Sequence, residues 1–223
     1  MNKGQGILIV LSGMSGVGKE TVCNRLMELN ADVWMSVSAT TRPMRPGEVD
    51  GKDYFFITKE EFEERIENDD FLEYAIVHKE HYYGTPKKEI QRKIDEGKNV
   101  VLIIDVQGAL KVKELIPSAL FIFLMPPSIQ VLKERLVNRG TESIEKIVER
   151  FKSAYQELNE ITKYNYVVIN DEVDNAVHKI ESIISAEKCR VDRIEDEYLN
   201  TCEEDIHELL RDDKLFINHK IVN

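Results

Sequence analysis

SGMSGVGKETV, residues 12–22, carries Gly13, Gly18 and Lys19 at the spacing G-x-x-x-x-G-K of a phosphate-binding loop. Glycines let successive backbone N–H groups turn toward a phosphate, and a helix starting near Lys19 adds its positive N-terminal end. The usual pattern continues with Ser or Thr, whose hydroxyl coordinates the magnesium carried by a nucleotide. Here the next residue is Glu20, followed by Thr21. A glycine turn can imitate this spacing by chance, so the flanks decide. Before the loop stands ILIVLS (7–12), a continuous apolar run of the kind found in parallel strands covered on both faces. After it, residues 19–29 have a helical pattern. Strand, glycine loop and helix in that order are the context a phosphate loop requires.

The same rhythm recurs outward from the loop. NVVLIID (99–105), ALFIFLM (119–125) and YNYVVIN (164–170) read as further buried strands. Residues 108–115, 128–138, 144–162 and 173–188 read as helices between and after them. This alternation predicts an α/β fold on a parallel sheet. Two regions interrupt it. Residues 34–90 hold short strand-like runs (WMSVSA, KDYFFI, FLEYAIV) around the turn-rich TTRPMRPGEVDGKD, which predicts a small inserted mixed lobe. Residues 135–150, RLVNRGTESIEKIVER, form an arginine-dense helical joint. From Cys189 onward the chain is charged and mostly helical in pattern, expected as a surface helix with a frayed end.

The totals narrow the function classes. At 223 residues the chain can bury a substantial core. A formal net charge of −11 opposes non-specific nucleic-acid binding, which needs a basic surface, but permits anionic small ligands held in a basic cleft. Cys23, Cys189 and Cys202 have no metal-ligand spacing and no disulfide framework, so a reducing compartment is expected. The apolar run near the N-terminus is too short for a signal-peptide core or a membrane span, and a cytoplasmic location is the expectation.

A second constellation lies in SATTRPMRPGEVDGKDYFF. Arg42 and Arg45 stand three apart on a loop stiffened by Pro43 and Pro46. Arginine suits bidentate phosphate recognition, and stiffness lowers the entropy lost in holding it. Alone, the pair reads equally well as two solvated arginines. Tyr54 nearby, and EHYYGTP (80–86) with adjacent tyrosines, Gly84 and Thr85, favour a binding wall.

Taken together, the loop, SVSATTRPMRPGEVDGKDYFF, FLEYA, YYGT, IDVQG, LFIFLMPPS, RLVNRGTES and YVVINDE resemble the guanylate kinases, nucleoside monophosphate kinases that convert GMP and ATP to GDP and ADP. The resemblance runs in register from about residue 6 to about residue 188. It implies a phosphate-loop kinase core (1–34, 91–134 and 156–188), a GMP-binding lobe (about 35–90), a helical lid (about 135–155) and a C-terminal helical tail (189–223). It implies that Arg42, Arg45, Tyr54 and Tyr83 hold the GMP phosphate, with Gly84 beside them. Ser38, Glu73 and Thr85 would read the guanine edge. Glu73 accepts from the ring N1–H and the exocyclic amino group, where adenine offers no donor. An acceptor left unpaired by the wrong base costs about 1–3 kcal/mol, enough for tenfold discrimination. Asp105 would lie near GMP and the metal. Gly13, Met14, Ser15, Gly16, Val17, Gly18, Lys19, Glu20 and Thr21 would cradle ATP, with Asn170 at the adenine. Lys19, Arg135, Arg139 and Arg150 would stabilise the transferring phosphoryl group, although arginines on a glutamate-rich joint also suit surface ion pairs. Mg2+ would be held mainly through nucleotide phosphates, with Glu20 and Asp105 as candidate protein ligands. The substrates implied are GMP, dGMP with it, and ATP, with no nucleic-acid or membrane partner and the oligomeric state left open.

Three positions depart from the family pattern. Met14 replaces a common proline and is expected to matter little, since only its backbone is needed. Ile103 stands where an acid often precedes the one matched by Asp105. Glu20 is the third; at a helix N-terminus its charge is tolerable, and it can reach metal or turn outward. Two other functions compete: a non-catalytic phosphopeptide-binding domain of the same fold, and a phosphate-loop kinase with another small acceptor. Lys19 and the arginines argue against the first, Ser38 and Glu73 against the second.

Overall fold

The structure, a computed structural model, describes residues 5–77, 81–138, 144–194 and 200–211. Among the described residues, nine strands fall into two sheets. The first is wholly parallel and contains β1 (Leu8–Gly13), β2 (Val33–Met35), β7 (Asn99–Ile103), β8 (Leu120–Met125) and β9 (Tyr166–Ile169), in the order β2-β7-β1-β8-β9. Every residue of β1 is buried, as its unbroken apolar run requires at the centre of a covered sheet. Leu8 lies opposite Val100, and Ile9 opposite Leu120. The core on one face joins Leu8, Val10, Leu102, Val112 and Phe121.

The connecting helices are α1 (Lys19–Leu29), α4 (Val106–Leu115), α5 (Ile129–Asn138), α6 (Ile144–Leu158) and α7 (Val173–Glu187). Because the strands are parallel, their carboxyl ends share one edge of the sheet. The phosphate-loop sequence after β1, Asp105 after β7 and Asn170 after β9 therefore meet where open α/β sheets bind ligands.

The second sheet contains β3 (Ala39–Thr40), β4 (Phe55–Phe56), β5 (Phe71–Val77) and β6 (His81–Pro86), in the order β4-β3-β6-β5. Its small core is Ala39, Phe62 and Phe71, with the Phe62 and Phe71 rings stacked at 4.3 Å. Phe62 comes from α2 (Lys59–Glu67), which begins with a reciprocal cap. The Glu61 N–H donates to Thr58 Oγ1 at 3.1 Å, and the Thr58 N–H donates to the Glu61 carboxylate at 2.9 Å. A further helix, α3 (Lys87–Asp95), leads back to β7.

Three local expectations change. The run WMSVSA does not lie wholly in the inserted lobe: Trp34 and Met35 pair with Val100 and Val101 in the parallel sheet, and only Ala39 joins the second sheet. A short apolar run cannot reveal which of two sheets will receive it. Helices α2 and α3 were not expected, because each is nine residues long and buries a single side chain, Phe62 or Ile90. Asp105 does not end a strand; β7 stops at Ile103, and Asp105 caps α4 with its side chain accepting from the Gly108 N–H at 2.7 Å.

The chain divides into two compact units, Met1–Glu181 and Ser182–Asn223. Both sheets lie in the first. The second holds the end of α7, then α8 (Val191–Ile194) and α9 (Asn200–Arg211). Within it Glu187 accepts from Arg193 at 3.0 Å. The C-terminal KLFINHKIVN lies outside the described residues. Among the described residues no helix is long and apolar enough to cross a membrane.

Candidate active site

The phosphate loop is held open by its backbone. Gly13 has φ +141°, and a Cβ there would come within 2.2 Å of the Leu124 carbonyl oxygen on β8. Gly18 is left-handed at φ +96°, immediately before α1, with the Asn170 amide nitrogen 3.0 Å from where a Cβ would stand. Both positions need glycine for conformation and for space. The side chains of Met14 and Val17 point inward, at 2% and 0% exposure. This corrects the expectation for Met14: its side chain is part of the core, filling space a smaller residue would leave empty.

Lys19 Nζ donates to the Gly13 carbonyl at 2.7 Å and to that of Met14 at 3.4 Å. Burial pushes its pKa down, and Arg150 adds to that. Glu157, Asp105 and Glu20 oppose it, Glu157 most strongly. Glu20 and Thr21 are exposed in the first turn of α1. Glu20 therefore does not obstruct the loop, and its charge also reaches Tyr54 across the site.

Distant segments brace the loop. Arg135, on α5, donates to the Val17 carbonyl at 3.1 Å and the Asn170 carbonyl at 3.0 Å. Asn170 is 3% exposed, and its side-chain nitrogen donates to the same Val17 carbonyl at 2.8 Å. Its side-chain oxygen is buried with no hydrogen-bond partner among the described residues. Arg150, on α6, donates through Nε to Ser15 Oγ at 3.2 Å. The Ser15 N–H donates to the Glu157 carboxylate at 2.8 Å. Arg139 lies outside the described residues.

The second sheet presents the other wall. Glu73 on β5 and Thr85 on β6 are directly opposite in register, and the Thr85 hydroxyl donates to Glu73 Oε1 at 2.7 Å. Burial pushes the Glu73 pKa up, the Thr85 hydrogen bond pulls it down, Asp105 raises it and Lys111 lowers it. A Cβ at Gly108 would stand 3.3 Å from Glu73 Oε2 and 3.4 Å from Asp105 Oδ1, so the two carboxylates flank this glycine. Ser38 is half-buried just before β3. Gly84 faces Phe62 and Phe71, where a Cβ would come within 2.8 and 2.9 Å of ring atoms. Its place is dictated by packing.

Arg42 is 9% exposed, with its guanidinium carbon 5.2 Å from the centre of the Tyr54 ring. Its Nε donates to the Tyr83 hydroxyl at 3.2 Å, and Nη1 and Nη2 donate to the two Glu48 oxygens at 2.8 Å each. Glu48 also accepts from the Arg45 N–H at 2.7 Å. These hydrogen bonds, that from Arg42 foremost, hold the Glu48 carboxyl down at about 2. The Arg45 side chain is exposed. Sequence reasoning missed Glu48, Gly108 and Glu157. The spacing of Glu48, three residues after Arg45 in a stiff loop, was a usable signal. Nothing local marked the other two.

The comparisons with known proteins agree with this geometry. The guanylate kinase family model matches residues 5–187. A guanylate kinase of Clostridium perfringens strain SM101 is 56% identical over 208 residues, covering 93% of this chain and 96% of its own length. That of Caldanaerobacter subterraneus subsp. tengcongensis is 59% identical over 204 residues, covering 92% and 98%. A crystal structure of guanylate kinase from Anaplasma phagocytophilum superposes with a TM-score of 0.70 at 35% identity, over 86% of this chain and 92% of that one. With a matched model spanning both sheets and relatives this similar over nearly their whole lengths, the chain belongs to the guanylate kinase family.

Proposed function

We infer that this chain carries out its family's reaction, ATP-dependent phosphorylation of GMP to GDP, between the phosphate loop and the lobe that bears Glu73 and Thr85. The observation that carries the reading is convergence on the loop: Lys19, Arg135 and Arg150 all bond to loop residues 13–17. A phosphopeptide-binding relative has no use for that cationic set.

In this reading Ser38, Glu73 and Thr85 face the base, and Glu73 accepts from the two guanine donors. Thr85 fixes the carboxylate from the opposite strand. The GMP phosphate meets Arg45, Tyr54 and Tyr83. Arg42 enters already paired with Glu48, so the phosphate either shares its guanidinium or displaces that carboxylate. The attacking phosphate oxygen is already ionised, so no general base is needed. Lys19, Arg135 and Arg150, with Arg139, neutralise charge on the moving phosphoryl group and align it for in-line transfer. Closure around both substrates excludes water.

The reaction calls for a divalent metal, here proposed as Mg2+, which neutralises phosphate charge when bound. Among the described residues no group of three or more His, Cys, Asp or Glu could hold a metal ion by itself. Glu20 and Asp105 carry oxygen donors of the kind magnesium accepts, and here supplement an ion carried by nucleotide phosphates. Glu20→Ser is expected to shift the Mg2+ dependence of ADP binding, read by calorimetry, while GDP formation persists. A cytoplasmic setting completes the reading, in keeping with three free thiols.

One ADP-release assay with GMP, dGMP, AMP and UMP tests the assignment. GMP and dGMP should turn over, with AMP and UMP at least about tenfold slower. Turnover of another acceptor without GMP overturns it.

A further inference from the structure

Ser15 is gripped at both ends by one face of α6. Its N–H donates to Glu157 Oε2 at 2.8 Å, and its hydroxyl accepts from Arg150 Nε at 3.2 Å. Arg150, Ser153 and Glu157 are spaced i, i+3, i+7, which puts them on one stripe of the helix. Ser153 Oγ donates to the other Glu157 oxygen at 3.5 Å. Ala154, 1% exposed, buries the adjoining stripe and fixes the rotation of this face.

The grip acts on one peptide plane. In a trans peptide the C=O of Met14 and the N–H of Ser15 point in opposite directions from a rigid unit. Glu157 holds the N–H side. The Met14 oxygen accepts from the Val17 N–H at 3.1 Å and from Lys19 Nζ at 3.4 Å. Releasing Glu157 frees the plane to rotate, which removes an acceptor from Lys19 and moves the hydroxyl that receives Arg150. A carboxylate bonded to a loop that must accept a polyphosphate is otherwise unfavourable. Its presence is accounted for by the two groups it ties together, the Ser15 N–H and, through Ser15, Arg150.

We infer that Glu157 is a positioning residue for phosphoryl transfer, tying α6 and its Arg150 to the phosphate loop through the Met14–Ser15 peptide. The inference rests on the catalytic reading of Arg150 given above.

The test uses the full chain and the variants Glu157→Ala, Glu157→Asp, Glu157→Gln, Arg150→Ala and the double Glu157→Ala/Arg150→Ala. Thermal melting is followed alongside kcat and both KM values. Glu157→Ala should lower kcat about ten- to a hundredfold, the scale of a lost charge-assisted hydrogen bond, with KM for GMP within about twofold of the natural protein. Glu157→Asp keeps the charge but falls one methylene short of Ser15, and should lose kcat similarly; it carries the test if the alanine variant does not fold. Glu157→Gln keeps an oxygen acceptor at the right reach and should recover to within about threefold. The double variant should lose no more than about threefold beyond Arg150→Ala, because both changes break one linkage. A lower melting temperature with kcat intact would reduce Glu157 to a structural role. Tighter ATP binding with unchanged kcat would make it a competitor of the phosphate. Additive losses would overturn the inference alone, whereas full kcat in Arg150→Ala would overturn the reading of Arg150 beneath it.

Discussion

The phosphate loop and the lobe that bears Glu73 and Thr85 hold their polar groups by opposite means. In the lobe the partners are close in sequence: Arg42 and Glu48 are six residues apart, Thr85 and Glu73 twelve. A stiff turn and an antiparallel pair suffice to bring them together. The loop depends on residues from far along the chain: Arg135 lies 118 positions from Val17, Glu157 142 from Ser15, and Asn170 153 from Val17. The lobe is thus locally specified, while the loop takes its shape from helices and strands that must already be docked. Damage to the lobe should alter which base is accepted. Damage to the loop should alter whether phosphate moves at all.

The sharpest separation comes from Lys19→Ala. Loss of a positioned cation should lower kcat by about a hundred- to a thousandfold while leaving GMP binding, measured by calorimetry, within about twofold. A parallel loss of GMP affinity would break the division between the regions.

Glu73→Gln attacks the other side. An amide nitrogen can face the guanine donors, so kcat/KM for GMP should fall about ten- to a hundredfold, with the ratio of GMP to AMP turnover falling alongside. The same residue carries a pH signature. Burial raises the Glu73 pKa above the ordinary value of 4.5, and the recognition proposed for guanine needs the carboxylate ionised. On acidification, KM for GMP should therefore rise before an ordinary glutamate would titrate, and the glutamine variant should lose that rise.

Asn170→Ala probes the long-range brace. Removing the bond to the Val17 carbonyl should cost about 1 kcal/mol of stability and raise KM for ATP about threefold to tenfold, with GMP affinity unchanged.

The smallest effect concerns Glu48. Its carboxyl is held at about 2 against an ordinary 4.5, so its folded-state pKa is depressed. The stabilisation from its pairing with Arg42 is complete above pH 4.5 and drains away as the pH falls toward 2. Acid unfolding of Glu48→Gln, followed by circular dichroism, should lack this component. An unchanged acid transition would show that the exposed turn contributes nothing to it.

Legibility in the sequence followed the same division. Gly13, Gly18 and Lys19 were readable because glycine conformations and loop length are local properties, and so was the strand-then-helix context. Arg42, Arg45, Tyr54, Glu73 and Thr85 stand in short motifs that mark them as candidates. The pairing of Arg42 with Glu48 is not legible although both stand in one loop, because a guanidinium in such a motif suits a phosphate as well as a nearby acid. Met14 was misjudged because a loop position gives no sign of an inward-facing side chain. Helix α2 announced itself only through Thr58 and Glu61, a cap signature that its sparse apolar pattern did not reinforce.

By itself, the sequence determined the α/β class, the phosphate loop and the family, since each rests on periodicity, glycine spacing and motifs contiguous in the chain. Only the tertiary structure decided that Trp34 belongs to the parallel sheet, that Asn170 and Arg135 share the Val17 carbonyl, and that Glu157 closes on Ser15. Those contacts join segments more than a hundred residues apart or choose between two available sheets. No local propensity encodes either; packing around β1 does.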